Sequence, residues 1–346
     1  MTRLIFEEKY DFNDVLIMPK RSSLLSRSEV ALDKEYTFLN SGLKYFGIPI
    51  ISSNMDTVGT FAIAESLMKR NLFTALIKHY SLEELINFYT KNISWAINHT
   101  AYSMGMSQDD LDKYNLFKKQ AYAKYVMVDL ANGYQQALVE FIAKFRHSNP
   151  NVVIMVGNVV SPEMTEALLF AGADVIKVGI GSGSACSTRI KAGIGYPQLS
   201  AILECADAAH GLGGHIISDG GCSCPGDICK AFAANSDFVM LGGMLAGHEE
   251  GGVTEDEYGR VEFYGMSSKK AQEAHSSSLK DYRASEGRVI SIPYRGAIDG
   301  TIQDILGGLR SCCAYTGSRS LKELPKRTTF VKVHQQFNAA YGMGQL

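Results

Sequence analysis

The feature that most constrains this chain is a recurrence. Eight short apolar runs rich in β-branched residues each end in small or polar residues, and most lead into a helix-like segment. They are Ile48 to Ser53, Leu72 to Ile77, Ile93 to Ile97, Tyr125 to Asp129, Val152 to Gly157, Val175 to Gly179, His215 to Asp219 and Phe238 to Gly242. Several are hydrophobic throughout rather than alternating, as strands covered on both faces should be, so the pattern predicts a parallel sheet. Helices are expected over Thr60 to Arg70, Ser81 to Lys91, Gly133 to Phe145, Ser161 to Ala171, Tyr196 to His210 and Pro225 to Ala234. Ser161 stands at an N-cap position before Pro162, and Gly172 where that helix should stop. Eight such units imply an α/β fold of the (β/α)8 TIM-barrel type, with active groups on the loops after the strand carboxyl ends. A doubly wound open sheet is the alternative.

Composition narrows the classes. With 46% hydrophobic residues, 33 Gly and only 8 Pro in 346 residues, the chain is neither disordered nor collagen-like. Lys+Arg 34 against Asp+Glu 36 gives a net charge of -2, which supplies no basic field for a nucleic-acid backbone. The start, MTRLIFEEKYDF, places acids where a signal peptide needs an apolar run, and no apolar stretch approaches the ~20 residues of a membrane span. A cytoplasmic protein without membrane or nucleic-acid partners is expected. Seven Cys, an odd number scattered through a long chain, argue for reduced thiols rather than a disulfide scaffold. No linker divides the sequence, so residues 1–346 read as a single barrel domain with a long excursion, Val253 to Arg295, after strand eight.

The chemistry concentrates in loops. After the sixth run comes Gly179-Ile180-Gly181-Ser182-Gly183-Ser184-Ala185-Cys186-Ser187-Thr188-Arg189. Its glycines let the backbone approach a ligand or ion closely, and it delivers a Cys followed by hydroxyls and a cation that favours a thiolate nucleophile. Cys186 is therefore the candidate nucleophile, against the plainer reading of a small packing residue. Cys222, Cys224 and Cys229 match no usual zinc spacing, and Cys205, Cys312 and Cys313 read as packing residues. Asp219-Gly220-Gly221 and Gly242-Gly243 end the seventh and eighth runs, where barrel amides commonly hold a phosphate and an acid can accept from ribose hydroxyls. Glycines at strand ends also serve plain turns. In the excursion, Glu286 lies near Arg283 and is a proton donor or acceptor if enclosed, and merely a solvated charge if not. A Gly-x-Gly-x-x-Gly dinucleotide motif in a strand-to-helix context is absent.

Phe12-Asn13-Asp14-Val15-Leu16, Asn54-Met55-Asp56, Lys177-Val178-Gly179-Ile180-Gly181, Gly183-Ser184-x-Cys186-x-Thr188-Arg189, Ser218-Asp219-Gly220-Gly221 and Met240-Leu241-Gly242-Gly243-Met244-Leu245-Ala246-Gly247 together resemble the IMP dehydrogenase and GMP reductase family over nearly the whole chain. The resemblance implies a (β/α)8 barrel in which a cysteine attacks C2 of a purine nucleotide. It leans to the reductase branch: only Tyr80 to Asn92 separates the second and third runs, leaving no room for the regulatory domain that the dehydrogenases usually insert there. Phe263-Tyr264-Gly265-Met266-Ser267-Ser268 and Arg283-Ala284-Ser285-Glu286-Gly287 are similar to the reductase pattern. Ser182 stands where many members have Pro, and Ser187 where Thr is common, which bears on loop rigidity more than on chemistry.

The reaction so implied is GMP + NADPH giving IMP, ammonia and NADP⁺ in purine salvage, with Cys186 as nucleophile and Thr188 and Glu286 as hydroxyl relay and acid. By the same resemblance Ser184, Asp219, Gly220, Gly221, Gly242 and Gly243 hold the nucleotide, and Gly265, Met266, Ser267, Arg283, Ala284, Ser285 and Gly287 close over it. Lys78, Asp129, Leu130, Ala131, Ile180, Gly181, Met266, Tyr282 and Arg283 face the cofactor. Ser26, Arg27, Ser311, Cys312, Cys313 and Ala314 meet its far end, partly across a subunit boundary of a homotetramer. Backbone carbonyls of Gly181, Gly183, Cys186 and Arg189 resemble a potassium site. Rival readings are a short IMP dehydrogenase using NAD⁺, a nucleotide-binding barrel without catalysis, and a flavin-dependent barrel.

Overall fold

The strands close on themselves. A computed structural model describes residues 4–275 and 285–334 of the chain. Before the barrel lie strand β1 (Val15–Ile17) and a hairpin of β2 (Lys34–Thr37) and β3 (Lys44–Gly47). Eight parallel strands follow: β4 (Ile50–Ser52), β5 (Phe73–Ala75), β6 (Thr100–Met104), β7 (Tyr125–Asp129), β8 (Val153–Val159), β9 (Val175–Val178), β10 (His215–Asp219) and β11 (Phe238–Leu241). They hydrogen-bond in chain order, and β11 pairs with β4 to complete a (β/α)8 barrel rather than an open sheet.

Side-chain alternation divides two cores. In β7 and β8, Tyr125, Met127, Val153 and Met155 point into the barrel, while Val126, Val128, Ile154 and Val156 pack outward against helices. Both faces are buried, which is why these runs read as continuously hydrophobic. The β2–β3 hairpin plugs the amino-terminal end with Tyr36, Phe38 and Tyr45, whose rings meet Phe238, Tyr125 and Phe73 at centroid distances of 5.0 to 6.4 Å.

The outer layer comprises α1 (Phe61–Met68), α2 (Leu82–Lys91), α3 (Ile93–His99), α4 (Gln108–Phe117), α5 (Gln136–Ser148) and α6 (Pro162–Phe170), then the short α7 (Thr188–Lys191), α8 (Gln198–Gly211) and α9 (Pro225–Ala233). Pro162 opens α6, and Gly172 follows it at φ 108°. Ser161 occupies the N-cap position without capping through its side chain; its hydroxyl accepts from Tyr134 instead.

One strand lies elsewhere than expected. Ile93 to Ile97 is helix α3, with Ala96 buried, and the third barrel strand is Thr100–Met104. The alternation Ile93, Trp95, Ile97 mimics a strand, but the fully buried run after His99 pairs with β5 and β7. Helix α4, absent from the expected set, then carries the chain to β7. The interval between the second and third strands is accordingly residues 76–99, filled by α2 and α3.

The described parts of the excursion after β11 carry regular structure. Strands β12 (Arg260–Tyr264) and β13 (Val289–Pro293) form an antiparallel ribbon from Arg260 opposite Pro293 to Tyr264 opposite Val289, and α10 (Lys269–His275) follows the first of them. Helix α11 (Asp299–Thr316), α12 (Leu324–Arg327) and β14 (Phe330–Lys332) finish the fold, β14 pairing antiparallel with β1. Among the described residues, no helix is long and apolar enough to cross a membrane.

Candidate active site at the carboxyl end of the barrel

A cavity of about 550 Å³ opens over the carboxyl ends of the strands, within the range of small-molecule sites. Its floor is charged. Lys177, in the middle of β9 and 4% exposed, places Nζ 2.7 Å from a carboxylate oxygen of Asp129 and 2.7 Å from one of Asp219. Asn54 donates to Asp129 at 2.9 Å and Asn158 to Asp219 at 2.8 Å. Burial opposes Lys177's charge, but the two carboxylates outweigh it and hold its proton more tightly than usual; Asp129 is held below the ordinary carboxylate range despite burial, chiefly by Lys177.

Above this floor the Cys186 loop crosses the mouth. Gly179 has φ 152°, and a Cβ there would lie 1.9 Å from the Asp219 carbonyl oxygen. Only glycine lets β9 and β10 lead their loops so close together. Ser182 Oγ lies 2.9 Å from Gln198 Oε1 and 3.3 Å from the Asp219 carbonyl, so its hydroxyl ties the loop down. Gln198 is itself buried and donates to the carbonyl of Val178.

Cys186, Thr188 and Glu286 form a chain of polar contacts. The Cys186 thiol donates to Thr188 Oγ1 at 3.2 Å, and Thr188 Oγ1 donates to Glu286 Oε2 at 2.8 Å. Glu286 comes from the excursion, 98 residues away, and backbone pairing fixes it there. Ser187 N–H donates to the Glu286 carbonyl at 2.8 Å, Arg288 N–H to the Ala185 carbonyl at 2.9 Å, and the Arg288 guanidinium to the Ser184 carbonyl at 2.7 Å. The ribbon is docked a second time at Asp56, whose Oδ2 accepts from Tyr264 Oη at 2.8 Å and lies 2.7 Å from His275 Nε2. His275 stacks on His79 with ring centroids 3.5 Å apart. Burial and then the His275 and Lys78 charges hold His79 down to about 4, so it is neutral near pH 7.

A nucleophile with a two-step proton path, beside a carboxylate and glycine amides, suits attack on an electrophilic carbon of a phosphorylated ligand. The model of the IMP dehydrogenase / GMP reductase domain matches residues 9–339. The chain belongs to the IMP dehydrogenase / GMP reductase family. Relatives named GMP reductase include one from Caenorhabditis elegans, 53% identical across 99% of this chain and 96% of its own length. Another from Onchocerca volvulus is 54% identical across 97% and 94%, and one from Shewanella pealeana 52% across 96% and 97%.

Most of the family-implied residues meet in this cavity. Ser184, Gly220, Gly221, Gly242 and Gly243 line it around Asp219, and Gly265, Met266, Ser267 and Gly287 line its ribbon side. Lys78, Leu130, Ala131, Ile180, Gly181 and Gly183 line the remainder with Asp129. Ser285 stands at the edge, its hydroxyl donating toward the Gly287 carbonyl at 3.1 Å. Tyr282, Arg283 and Ala284 lie outside the described residues.

Other expected residues sit apart. Ser26, Arg27 and Ala314 line a separate, shallow cavity of about 270 Å³ with Tyr315. Neighbouring Ser311 donates to the Gly307 carbonyl, Cys312 is half-buried, and Cys313 is fully buried in the core, out of reach of a ligand at that surface. Arg189 turns its guanidinium to Asp11 at 3.1 Å and to the Tyr196 carbonyl at 2.8 Å, and a guanidinium has no acceptor to offer a cation. Cys224 is exposed at the start of α9 and Cys229 is buried within it. Burial pushes the thiols of Cys222 and Cys205 up, the latter to about 12.

Sequence reasoning assigned no role to Lys177, Asn158, Gln198, His79 or His275. A lysine inside the apolar run Val175-Ile176-Lys177-Val178 is the signal that could have found the first, since an unpaired ammonium is almost never fully buried.

Proposed function

We propose that this chain is a GMP reductase that converts GMP and NADPH to IMP, ammonia and NADP⁺. The observation that carries the reading is the Cys186–Thr188–Glu286 chain, supported by family membership and by the relatives' name. Asp219, oriented by Lys177 and Asn158, presents a carboxylate to ribose hydroxyls, and the glycine amides after β10 and β11 face the phosphate.

Carbon C2 of guanine lies between two ring nitrogens and is electrophilic. Cys186 Sγ bonds to it as the thiol proton passes through Thr188 Oγ1 to Glu286. The same pair returns that proton to the exocyclic nitrogen, which leaves as ammonia, and a thioimidate joins Cys186 to the purine. NADPH, when bound, supplies the hydride that replaces sulfur at C2. Cys186 departs as a thiolate and takes up one proton, so each turnover consumes one hydride and one proton. Lys78, Asp129 and Met266 fit the nicotinamide side as a polar and apolar wall beside the thiol, and Ser26, Arg27 and Ala314 fit the far end of a dinucleotide bound across a homotetramer boundary. The carbonyls of Gly181, Gly183, Cys186 and Arg189, neutral oxygens on one tight loop, suit a potassium ion that would stiffen that loop. A cytoplasmic place in purine salvage follows from the same reading.

Product identification after incubating GMP with NADPH tests it: IMP, ammonia and one oxidised cofactor are expected, and Cys186→Ala should abolish turnover. Undiminished turnover in that variant would end the covalent mechanism. NADH formation from IMP with XMP as product would make the chain a dehydrogenase, and tight GMP binding without turnover would make it a sensor.

A further inference from the structure

The amino-terminal end of the barrel, opposite the proposed active site, carries two aspartates in matching positions. Asp174 immediately precedes β9 and Asp237 immediately precedes β11. Each accepts the N–H of a residue on the preceding strand at 3.0 Å, Ile154 for Asp174 and Ile216 for Asp237. Each faces a basic side chain from the helix leading into that strand, Arg146 of α5 at 2.6 Å and His210 of α8 at 2.8 Å. Here the likeness ends. Asp174 is completed by the chain itself: its Oδ1 accepts from the N–H groups of Asn40 and Ser41 at 3.1 and 2.9 Å.

Among the described residues, no backbone N–H does the same for Oδ1 of Asp237. Its Oδ1 lies 3.4 Å from His215 Nδ1, a long ionic contact, and among the described residues neither buried ring nitrogen of His215 has a hydrogen bond of good geometry. An imidazole enclosed by the Tyr36 and Phe38 rings, at 4.8 and 5.6 Å, cannot leave both nitrogens unsatisfied without cost. The nearby ammonium of Lys34 does not complete the site; it sits 4.8 Å above the Tyr36 ring and forms no ion pair with Asp237 among the described residues.

We infer that His210, His215 and Asp237 form a binding site for a divalent zinc-class metal ion. One ligating atom from each lies within 4.8 Å of the others, close enough for a single ion to gather them with small side-chain shifts. Two imidazoles and one carboxylate select a borderline first-row dication over magnesium or calcium, which prefer all-oxygen shells, and water fills the remaining position. His215 would ligate through Nδ1, Asp237 through Oδ1, and His210 through Nε2 after releasing the proton it now gives Asp237. Asn235, 3.2 Å from His210 Nδ1, supplies the outer contact: with its amide oxygen turned inward it accepts the ring N–H that ligation requires.

The test is zinc sulfate titrated by calorimetry into the chelator-treated full chain, wild type and His210→Gln, with X-ray absorption of the cobalt(II)-loaded wild type. Glutamine still donates to Asp237 but is a poor ligand. One ion per chain is expected, with a nitrogen and oxygen shell near ~2.0–2.1 Å. Affinity should fall at least ~100-fold in His210→Gln, beyond the usual loss of an outer-shell partner. Turnover should be unchanged in that variant, because the site lies at the other end of the barrel. No saturable uptake, unchanged affinity in the variant, or sulfur in the cobalt shell, which would assign the ion to cysteines, each overturns the inference. The absorption measurement needs only the wild-type chain, so it decides even if the variant does not fold.

Discussion

Lys177→Met is the most informative single change, because one ammonium neutralises two carboxylates that belong to different parts of the site. Removing one partner of a buried ion pair costs about 3–5 kcal/mol. The side chains of Asp129 and Asp219 retain 30% and 23% exposure, so water recovers part of the loss and the lower end, about 3 kcal/mol, applies. For 346 residues unfolding with roughly 2.1 cal/mol/K each, that is a fall in melting temperature of about 4 °C. Adding Asp129→Asn removes one of the two stranded charges and should restore about half of it. The wild type should also lose stability faster in acid than Lys177→Met. The folded Asp129 pKa is lowered, so its contribution is present above the usual carboxylate range and disappears as pH falls through the lowered value. Calorimetric scans of the wild type, both single variants and the double variant measure the coupling. A double variant whose loss equals the sum of the single losses would refute the claim that Lys177 acts by bridging the carboxylates.

Three further outcomes are expected. Glu286→Gln removes the carboxylate that the proposed mechanism uses as terminal proton acceptor and should lower kcat by about 10²- to 10⁴-fold while GMP affinity, measured by calorimetry, stays close to that of the wild type. Gly179→Ala sets a Cβ against the Asp219 carbonyl at 1.9 Å and at φ 152°, so thermal scans should show one of the larger losses of any single substitution, roughly 4 kcal/mol or more, with nucleotide affinity falling too. In metal-free protein the His210 hydrogen bond to Asp237 raises the histidine's pKa; its stabilisation is complete below about pH 6.5 and fades as pH rises through the folded value. His210→Gln should therefore flatten the decline in melting temperature above that pH.

The barrel was legible because burying both faces of each strand leaves uninterrupted apolar runs, and seven of the eight lie where those runs are. The exception has a local cause. Ile93, Trp95 and Ile97 alternate like a strand, yet Asn92 bridges α2 and α3, and the register is settled by Thr100–Met104 lying between two neighbours. The excursion was legible only as an interruption, since the ribbon depends on pairing between Arg260–Tyr264 and Val289–Pro293, far apart in the chain. At the site, Cys186 and the glycine loops announce themselves by composition. Lys177, Asn158 and His275 do not, because their meaning lies in partners from other strands and loops.

The ribbon joins two requirements that are separate in principle. Glu286 reaches Thr188 where Ser187 and Arg288 hold the Cys186 loop against the chain around Gly287, and the same ribbon lines one side of the cavity. Tyr264 and His275 anchor its other side on Asp56, across the mouth from Cys186. One ribbon therefore both completes the polar chain from Cys186 to Glu286 and lines the cavity. Under the proposed mechanism a purine joined to Cys186 must be kept from water, and the ribbon that carries Glu286 is the element that lines that side of the cavity. On that reading one element would supply both the acid for ammonia release and the cover over the bound purine.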